Sequence, residues 1–192
     1  MTNPLHILTT WIDDARDAGD DDPSAMALAT ATRAGLPSCR IVLCRGVGER
    51  SVRFFTNYES RKGVDLGENS AVAATFYWRS LARQARLEGI AAQLPTSDSD
   101  AYFLEHRPRG HRLQSWASRQ SAPIASLDEV RLRYTEFEKR FEGQIVPRPD
   151  YWGGFEIIVD TVELWTSGSD RLHERRYFKR EGDSWLESLL SP

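Results

Sequence analysis

The stretch CRIVLCRGVGERSVRFFTNYESRKG, residues 39–63, decides the fold class of this chain. Two short apolar runs, 39–45 and 51–56, have the character of β-strands, and a turn containing two glycines separates them. The second run ends in a polar segment that begins a short helix. Strands that follow one another at such short spacing are typical of an antiparallel barrel or sandwich and not of a parallel sheet.

The same pattern extends along the chain in both directions. A capped amphipathic helix is predicted from Asn3 to Gly19, because a proline follows the capping asparagine and apolar residues recur at helical spacing. Strands are predicted in AMALATAT, AVAATFYW, ARQARLEGIAAQL, FEIIVD, VELW, RRYFKR and SWLESLL, and a helical middle over residues 97–142. We therefore expect one α+β domain over residues 1–192, built on an antiparallel β-barrel with flanking helices.

The composition argues against several classes of function. A hydrophobic content of 40% and a charged content of 28% are values of a globular chain, and the net charge of −3 speaks against a nucleic-acid partner. The sequence has no secretory signal and no apolar run of about twenty residues, so we expect a cytoplasmic protein with no membrane partner. Cys39 and Cys44 are predicted on opposite faces of a strand, which disfavours a disulfide, and no metal-site spacing occurs.

Cations are concentrated at two places in the stretch that decides the fold. Ser60, Arg61 and Lys62 would present a hydroxyl and two positive charges beside the free N–H groups of a helix start, which suits a phosphate. A solvated helix cap is the alternative. Arg40 lies within an apolar strand and needs a partner if it is buried, which an anion could supply. The alternative interpretation, an arginine that faces the sheet edge, remains equally open.

Three further segments carry weaker signals. Gln84 and Gln120 have amides that both donate and accept, which suits the edge of a heterocycle such as a flavin, although surface glutamines are commoner. Ser121 follows Gln120 directly. The segment AYFLEHRPRGHR, residues 101–112, holds a tyrosine and several cations that could bind a phosphorylated small molecule, or form an exposed basic helix end.

The segment ELWTSGSDRLHERRYF, residues 163–178, raises the same choice. Strand alternation would place Arg171, His173 and Arg175 on one side of an extended chain and Leu172 on the other. Such a row is either a solvated strand edge or a group of cations that holds an anionic ligand. Taken one at a time, none of these motifs decides the question.

Together the motifs resemble a known family. RIVLCR, FFTNYESRK, RQ, YF…RPR, W.S.QS, WGGF and W.....RLHER occur in the order and near the spacing of the pyridoxamine 5′-phosphate oxidase family, and the resemblance covers almost the whole chain. It implies a homodimer of split β-barrels that bind FMN in clefts at the subunit interface. It also implies that RLHER is an active-site strand.

The resemblance assigns residues to two binding sites. The FMN contacts it implies are Arg40, Ile41, Val42, Leu43, Phe55, Thr56, Arg61, Lys62, Gln84, Gln120, Ser121, Trp165 and Arg175. The substrate contacts it implies are Arg45, Tyr102, Arg107, His111, Arg171 and His173, of which Arg171 and His173 are the catalytic pair. In this assignment Arg171 covers the pyridine ring, and His173 hydrogen-bonds its phenolic oxygen.

The implied reaction oxidises the C4′ amine or alcohol of a pyridoxine vitamer phosphate, and O2 is reduced to hydrogen peroxide. A sister branch of the family that oxidises dihydro-phenazine precursors also keeps RLHER, and a non-catalytic flavin-binding protein is a third possibility. Retention of RPR, WASRQS and WGGF favours the vitamer oxidase.

Four departures from the family pattern concern the substrate side. Arg45 stands where a lysine is usual, and His111 where a serine is usual. One extra residue between Tyr102 and Arg107 would rotate their relative positions on a helix by about 100°. The chain also begins close to the first helix, so the segment that can cover the active site in relatives is expected to be nearly absent.

Overall fold

The computed structural model describes residues 2–192. Within this range the α-helices are Pro4–Asp17 (α1), Arg61–Glu68 (α2), Thr96–His106 (α3), Arg109–Ala117 (α4) and Leu127–Arg140 (α5). The strands are Ala25–Ala31 (β1), Pro37–Leu43 (β2), Gly46–Val47 (β3), Ser51–Asn57 (β4), Ala71–Trp78 (β5), Arg83–Gln93 (β6), Trp152–Thr166 (β7), Glu174–Glu181 (β8) and Ser184–Leu189 (β9). A 3₁₀ turn, Ser169–Arg171, lies between β7 and β8.

The nine strands of the described residues form one curled antiparallel sheet. Its order is β2-β1-β5-β6-β7-β4-β3, and β8 and β9 extend it from β7. Every pairing is antiparallel. The predicted class, an α+β fold with an antiparallel split barrel and flanking helices, is confirmed.

Strand β7 splits the barrel because its second edge changes partner along its length. Its first edge pairs with β6 throughout. On the second edge, residues 152–158 pair with β4 and residues 161–166 pair with β8. The change coincides with a β-bulge opposite Gly89, at which Asp160 is the extra residue. A Cβ on Gly89 would lie 2.0 Å from the Ile158 carbonyl oxygen, so the bulge requires glycine.

The core lies between α1 and the sheet. The predicted first helix is confirmed: the Asn3 side chain accepts a hydrogen bond from the Leu5 N–H at 3.0 Å, and Pro4 occupies the first turn. Leu5 and Leu8 are fully buried in the cluster that the strands complete. Full burial of one leucine side chain contributes about 1.5–3 kcal/mol to the free energy of unfolding. No helix within residues 2–192 is long and apolar enough to span a bilayer.

The structure corrects three predicted element boundaries. The helical middle is three helices, because Pro108 ends α3 and the segment 118–126, which contains a proline, is not helical. FEIIVD and VELW form the single strand β7, since the bulge at Asp160 absorbs the irregularity without a turn. RLHER is not one strand, because Arg171 lies in the 3₁₀ turn and β8 begins only at Glu174.

Candidate active site

One open cavity of about 620 Å³ collects most of the predicted site residues. It lies against β2, β4, the start of α2, the end of α3 and the loop after α4. Thirteen predicted residues line it: Arg40, Ile41, Val42, Leu43, Arg45, Phe55, Thr56, Arg61, Lys62, Tyr102, Arg107, Gln120 and Ser121. Predicted residues up to 81 positions apart in the chain, from Arg40 to Ser121, therefore meet at one surface.

Lys62 is a buried cation at the base of this cavity. Its ammonium donates to the Thr56 hydroxyl at 3.0 Å and to the Ser60 hydroxyl at 3.2 Å, and no carboxylate in residues 2–192 pairs with it. Burial, and secondarily the charge of Arg40, lowers the pKa of Lys62 from 10.5 to about 8. The predicted helix start is confirmed, with Ser60 as the cap of α2. The site thus has a positive charge that lacks an anion.

Arg40 and Arg61 share a single carboxylate, that of Asp65. Arg61 Nε donates to Asp65 Oδ1 at 3.0 Å, and an Arg40 Nη lies 3.9 Å from Asp65 Oδ2. Arg40 also donates to the Thr30 hydroxyl at 2.7 Å and the Ser38 hydroxyl at 2.6 Å. Burial lowers the pKa of Arg40, whereas Asp65 raises it. The Arg40 side chain is therefore held against the sheet, and three cations face one carboxylate.

Gln120 and Ser121 form the opposite wall. The Thr56 hydroxyl donates to Gln120 Oε1 at 3.3 Å, so the Gln120 amide N–H groups can donate to a ligand. Ser121 has a φ of 71°, a left-handed conformation that non-glycine residues adopt rarely and that is commoner at functional sites. This wall can donate to an acceptor-rich ring edge.

The expected rotation between Tyr102 and Arg107 does not separate these side chains. Helix α3 ends at His106, and Arg107 has an extended backbone because Pro108 follows it. Tyr102 stacks on Phe55 with ring centroids 3.6 Å apart, and Arg107 lines the same cavity. The Arg107 Nη2 donates to the His111 carbonyl oxygen at 2.8 Å, and burial lowers the pKa of Arg107. The helical argument fails because the helix stops between the two residues.

A second cavity of about 650 Å³ adjoins the first. The two share Arg45, Tyr102 and Arg107, and His111 lines the second cavity only. The predicted substrate residues from this part of the chain therefore lie at the junction of two open spaces. Arg45 and Arg107 contribute positive charge there, as a phosphate subsite requires.

The remaining predicted flavin residues lie on neighbouring strands. In the sheet register Gln84 pairs with Trp165, and Trp165 pairs with Arg175, so the three form one row across β6, β7 and β8. Arg175 Nε donates to Glu163 Oε1 at 2.8 Å, an ion pair that raises the pKa of Arg175. Glu163 is buried and also accepts from Arg86 at 3.0 Å.

Arg171 lies in a turn and His173 between that turn and β8, and neither lies on a strand. Arg171 has a φ of 62° and an exposed side chain. The His173 ring lies 4.7 Å from the Trp165 ring, and its Nδ1 accepts a hydrogen bond from the Gly168 N–H at 3.2 Å. A neutral His173 therefore carries its proton on Nε2 and can donate it to a ligand. The predicted alternation was wrong, because a tight turn replaces the extended chain.

The predicted site residues thus fall into two separate groups in one chain, which we call half-sites. None of Gln84, Trp165, Arg171, His173 and Arg175 lines the 620 Å³ cavity. Sequence reasoning missed several supporting residues: Thr30, Ser38, Asp65, Trp152 and Glu163. Asp65 and Ser38 had local signals, since Asp65 lies four residues after Arg61 on a helix and Ser38 lies two residues before Arg40 on a strand. Thr30, Trp152 and Glu163 act through contacts between elements that periodicity does not reveal.

The fold is that of a split-barrel protein, and its cleft is lined by four arginines, a lysine and the Gln120 amide. The family model described as "Pyridoxamine 5'-phosphate oxidase" matches residues 12–141, and that described as "Pyridoxine 5'-phosphate oxidase C-terminal dimerisation region" matches residues 152–192. This chain belongs to the pyridoxamine 5′-phosphate oxidase family. The resemblance stated from the motifs is confirmed.

Relatives and solved structures agree with this assignment. A pyridoxine/pyridoxamine 5′-phosphate oxidase from Rubrobacter xylanophilus is 45% identical over 99% of this chain and 87% of its own length. One from Granulibacter bethesdensis is 43% identical over 99% of this chain and 91% of its own length. The crystal structure of PhzG from Burkholderia lata, in complex with tetrahydrophenazine-1-carboxylic acid, has a TM-score of 0.94 at 32% identity, and the match covers 100% of this chain and 94% of PhzG.

Proposed function

We propose that this chain is an FMN-dependent oxidase that converts pyridoxine 5′-phosphate and pyridoxamine 5′-phosphate to pyridoxal 5′-phosphate, with O2 reduced to H2O2. The observation that carries the proposal is the single cavity that collects the cations, amides and aromatic rings of the family's motifs. Relatives at 39–45% identity that bear this activity in their names support it.

The residues present fit FMN. A phosphate would supply the anion that Lys62 lacks, and Arg40 and Arg61 carry more positive charge than Asp65 neutralises. The Gln120 amide can donate to the flavin ring edge, and Gln84 and Trp165 of the second half-site would complete its surroundings. Because the two half-sites are separate in one chain, we propose that each flavin is held by residues of two subunits.

The chain's residues bind and orient the reactants. Bound FMN would supply the two-electron redox chemistry. We assign the 5′-phosphate of the substrate to Arg45, Tyr102, Arg107 and His111. His173 Nε2 would donate to the phenolic oxygen of the substrate, and the Arg171 guanidinium would cover its ring and exclude water. Oxidation of the alcohol releases H2O2, and oxidation of the amine consumes water and releases ammonia as well.

Aerobic turnover of the purified protein tests this function. We expect hydrogen peroxide and pyridoxal 5′-phosphate from both vitamer phosphates. A second candidate, oxidation of a dihydro-phenazine, is favoured by the likeness to PhzG, so a dihydrophenazine carboxylate is the comparison substrate. Turnover of the dihydrophenazine alone would replace the vitamer proposal with the phenazine one. An FMN-loaded protein that oxidises neither would be a flavin-binding protein.

The FMN-loaded form is expected to be a dimer. Residues 152–192 match a dimerisation region and contain Trp165, His173 and Arg175, the half-site that the cavity lacks. Light scattering of the yellow protein should give twice the chain mass of 21.9 kDa. A stable monomer with one tightly bound FMN would contradict the shared site.

Arg175→Ala is expected to lower FMN affinity by roughly tenfold to a hundredfold, the value of a charge-assisted contact. Arg176→Ala is a matched control. The two arginines are adjacent on β8, each pairs with one glutamate, and their side chains are 28% and 29% exposed. Fluorescence titration of each apo-protein with FMN measures both affinities. Equal losses in the two variants would mean that FMN affinity depends on ion pairing in β8 and not on a contact between Arg175 and the flavin.

A further inference from the structure

The WGGF segment, residues 152–155, lies beneath the proposed phosphate subsite. The Trp152 side chain is buried, and the Arg107 guanidinium lies 4.5 Å from its ring centroid, within cation–π distance. Phe103 meets the Trp152 ring edge-to-face at 5.0 Å. Trp152 itself does not line the 620 Å³ cavity, so it acts on that cavity only through its neighbours.

Arg107 depends on few other contacts for its position. Its Nη2 donates to the His111 carbonyl oxygen at 2.8 Å and to the Ser115 hydroxyl at 3.1 Å. Its Nε is buried and has no hydrogen-bond partner within residues 2–192. No carboxylate among the described residues pairs with Arg107, so its charge is supported by these two hydrogen bonds and by the aromatic faces of Trp152 and Phe103, of which Trp152 is the nearer.

Trp152 is held rigidly from its backbone. The Arg148 Nη1 donates to the Trp152 carbonyl oxygen at 2.6 Å, and Arg148 Nε donates to Asp100 of α3, also at 2.6 Å. Gly153 follows, and a Cβ there would lie 2.8 Å from the Ser99 hydroxyl oxygen, so α3 packs directly on β7. The segment therefore fixes both the tryptophan and the helix that precedes Arg107.

We propose that Trp152 is a positioning residue that holds the Arg107 guanidinium in the orientation that binds the phosphate of the substrate. The inference rests on the proposed function, since it assigns Arg107 to that phosphate. Trp152 is not among the residues assigned to the substrate or to FMN. It should therefore govern affinity for the phosphorylated substrate, and leave the rate of the bound complex nearly unchanged.

Trp152→Leu is expected to raise KM for pyridoxine 5′-phosphate by about 5- to 30-fold, the affinity equivalent of a desolvated cation–π contact. The kcat and the FMN content should stay within about twofold of wild type. Trp152→Phe keeps a smaller aromatic face, so its KM should lie between those of wild type and Trp152→Leu, and it covers the case in which the leucine variant folds poorly. Trp185→Leu is the matched control, because this tryptophan is equally buried but lies on β9 in the main core.

A double-mutant cycle separates positioning from general packing. If Trp152 acts through Arg107, then Trp152→Phe should raise KM in the wild-type background and have little further effect in Arg107→Ala. Additive effects, or an equal KM change in Trp185→Leu, would overturn the inference.

The inference and the proposed function can fail separately. If the wild type does not oxidise the vitamer phosphates, calorimetric titration of wild type and Trp152→Phe with pyridoxal 5′-phosphate replaces KM as the measure of phosphate binding. Weaker binding in Trp152→Phe would then support the positioning role although the oxidase proposal has failed. Equal binding in the two proteins would overturn it.

Discussion

Arg171→Ala and His173→Ala are expected to lower kcat/KM for pyridoxine 5′-phosphate by roughly 10²- to 10³-fold, the cost of removing one group aimed at developing charge. Both variants should retain FMN. The reason is geometric: Arg171 is exposed in a turn with a left-handed backbone, and His173 presents Nε2–H because Gly168 occupies its Nδ1. Their partners would be present only when substrate is bound.

Three measurements make this prediction specific. Flavin absorbance gives the FMN content, thermal unfolding gives stability, and peroxide release gives kcat and KM. His173→Gln retains a side-chain donor and should keep more activity than His173→Ala. Glu174→Gln is the control, since Glu174 lies next to His173, is exposed and makes no side-chain hydrogen bond in residues 2–192. Wild-type turnover in both alanine variants would mean that the turn is an ordinary solvated surface.

Lys62→Met is expected to lower FMN affinity by roughly 10- to 100-fold, because it removes a buried charge-assisted contact worth about 1.5–3 kcal/mol. Methionine fills similar space, so packing around α2 should persist. The apo-protein should not lose stability, since the ammonium of Lys62 has no anionic partner and its burial is unfavourable. Fluorescence titration with FMN and thermal unfolding of the apo-protein measure the two effects.

The wild-type affinity for FMN should also fall as the pH rises above about 8. The pKa of Lys62 is lowered to about 8, so this amine is charged below that pH and increasingly neutral above it. A bound phosphate favours the charged form, and binding at higher pH must therefore take up a proton. Unfolded chains hold this proton to higher pH, so for this group alone the apo-protein gains stability between pH 8 and 10.5.

Arg61→Met is the comparison for Lys62→Met. Arg61 is adjacent and carries the same charge, but its side chain is 54% exposed and already pairs with Asp65. Exposed ion pairs contribute little free energy, so Arg61→Met should lose less FMN affinity than Lys62→Met. The pH dependence of FMN affinity near pH 8 should remain in Arg61→Met. Equal losses in both variants, with unchanged pH dependence in Lys62→Met, would contradict the central role of Lys62.

The helix caps and strands whose signals are local were predictable from the sequence. Asn3-Pro4 and Ser60 begin helices because a cap satisfies N–H groups only two or three residues away. The short alternating runs became β1, β2, β4, β5 and β6, with boundaries close to those expected. The motifs also named thirteen of the fifteen residues that line the 620 Å³ cavity, because the resemblance rests on their order and spacing.

Other features depended on contacts between distant parts of the chain. The partners of Arg40 include Thr30 on β1 and Asp65 on α2, and Arg107 rests on Trp152, 45 residues later. Strand alternation also failed to predict the turn at Arg171 and His173, because alternation assumes that the chain stays extended.

Most of the strands, the helix caps at Asn3 and Ser60, and the family could be predicted from the sequence alone, since each depends on neighbours in the chain or on the order of motifs. The folded structure was needed to show which cations are buried, which of them lack a carboxylate, and that the predicted site residues form two groups in one chain. The cause is that burial and charge pairing are set by contacts between elements, such as those of Arg40 with Thr30 on β1 and Asp65 on α2. The pairing of β4 with β7 joins Ser51 to Ile158 and Asn57 to Trp152, about 100 positions apart and beyond the reach of any local pattern.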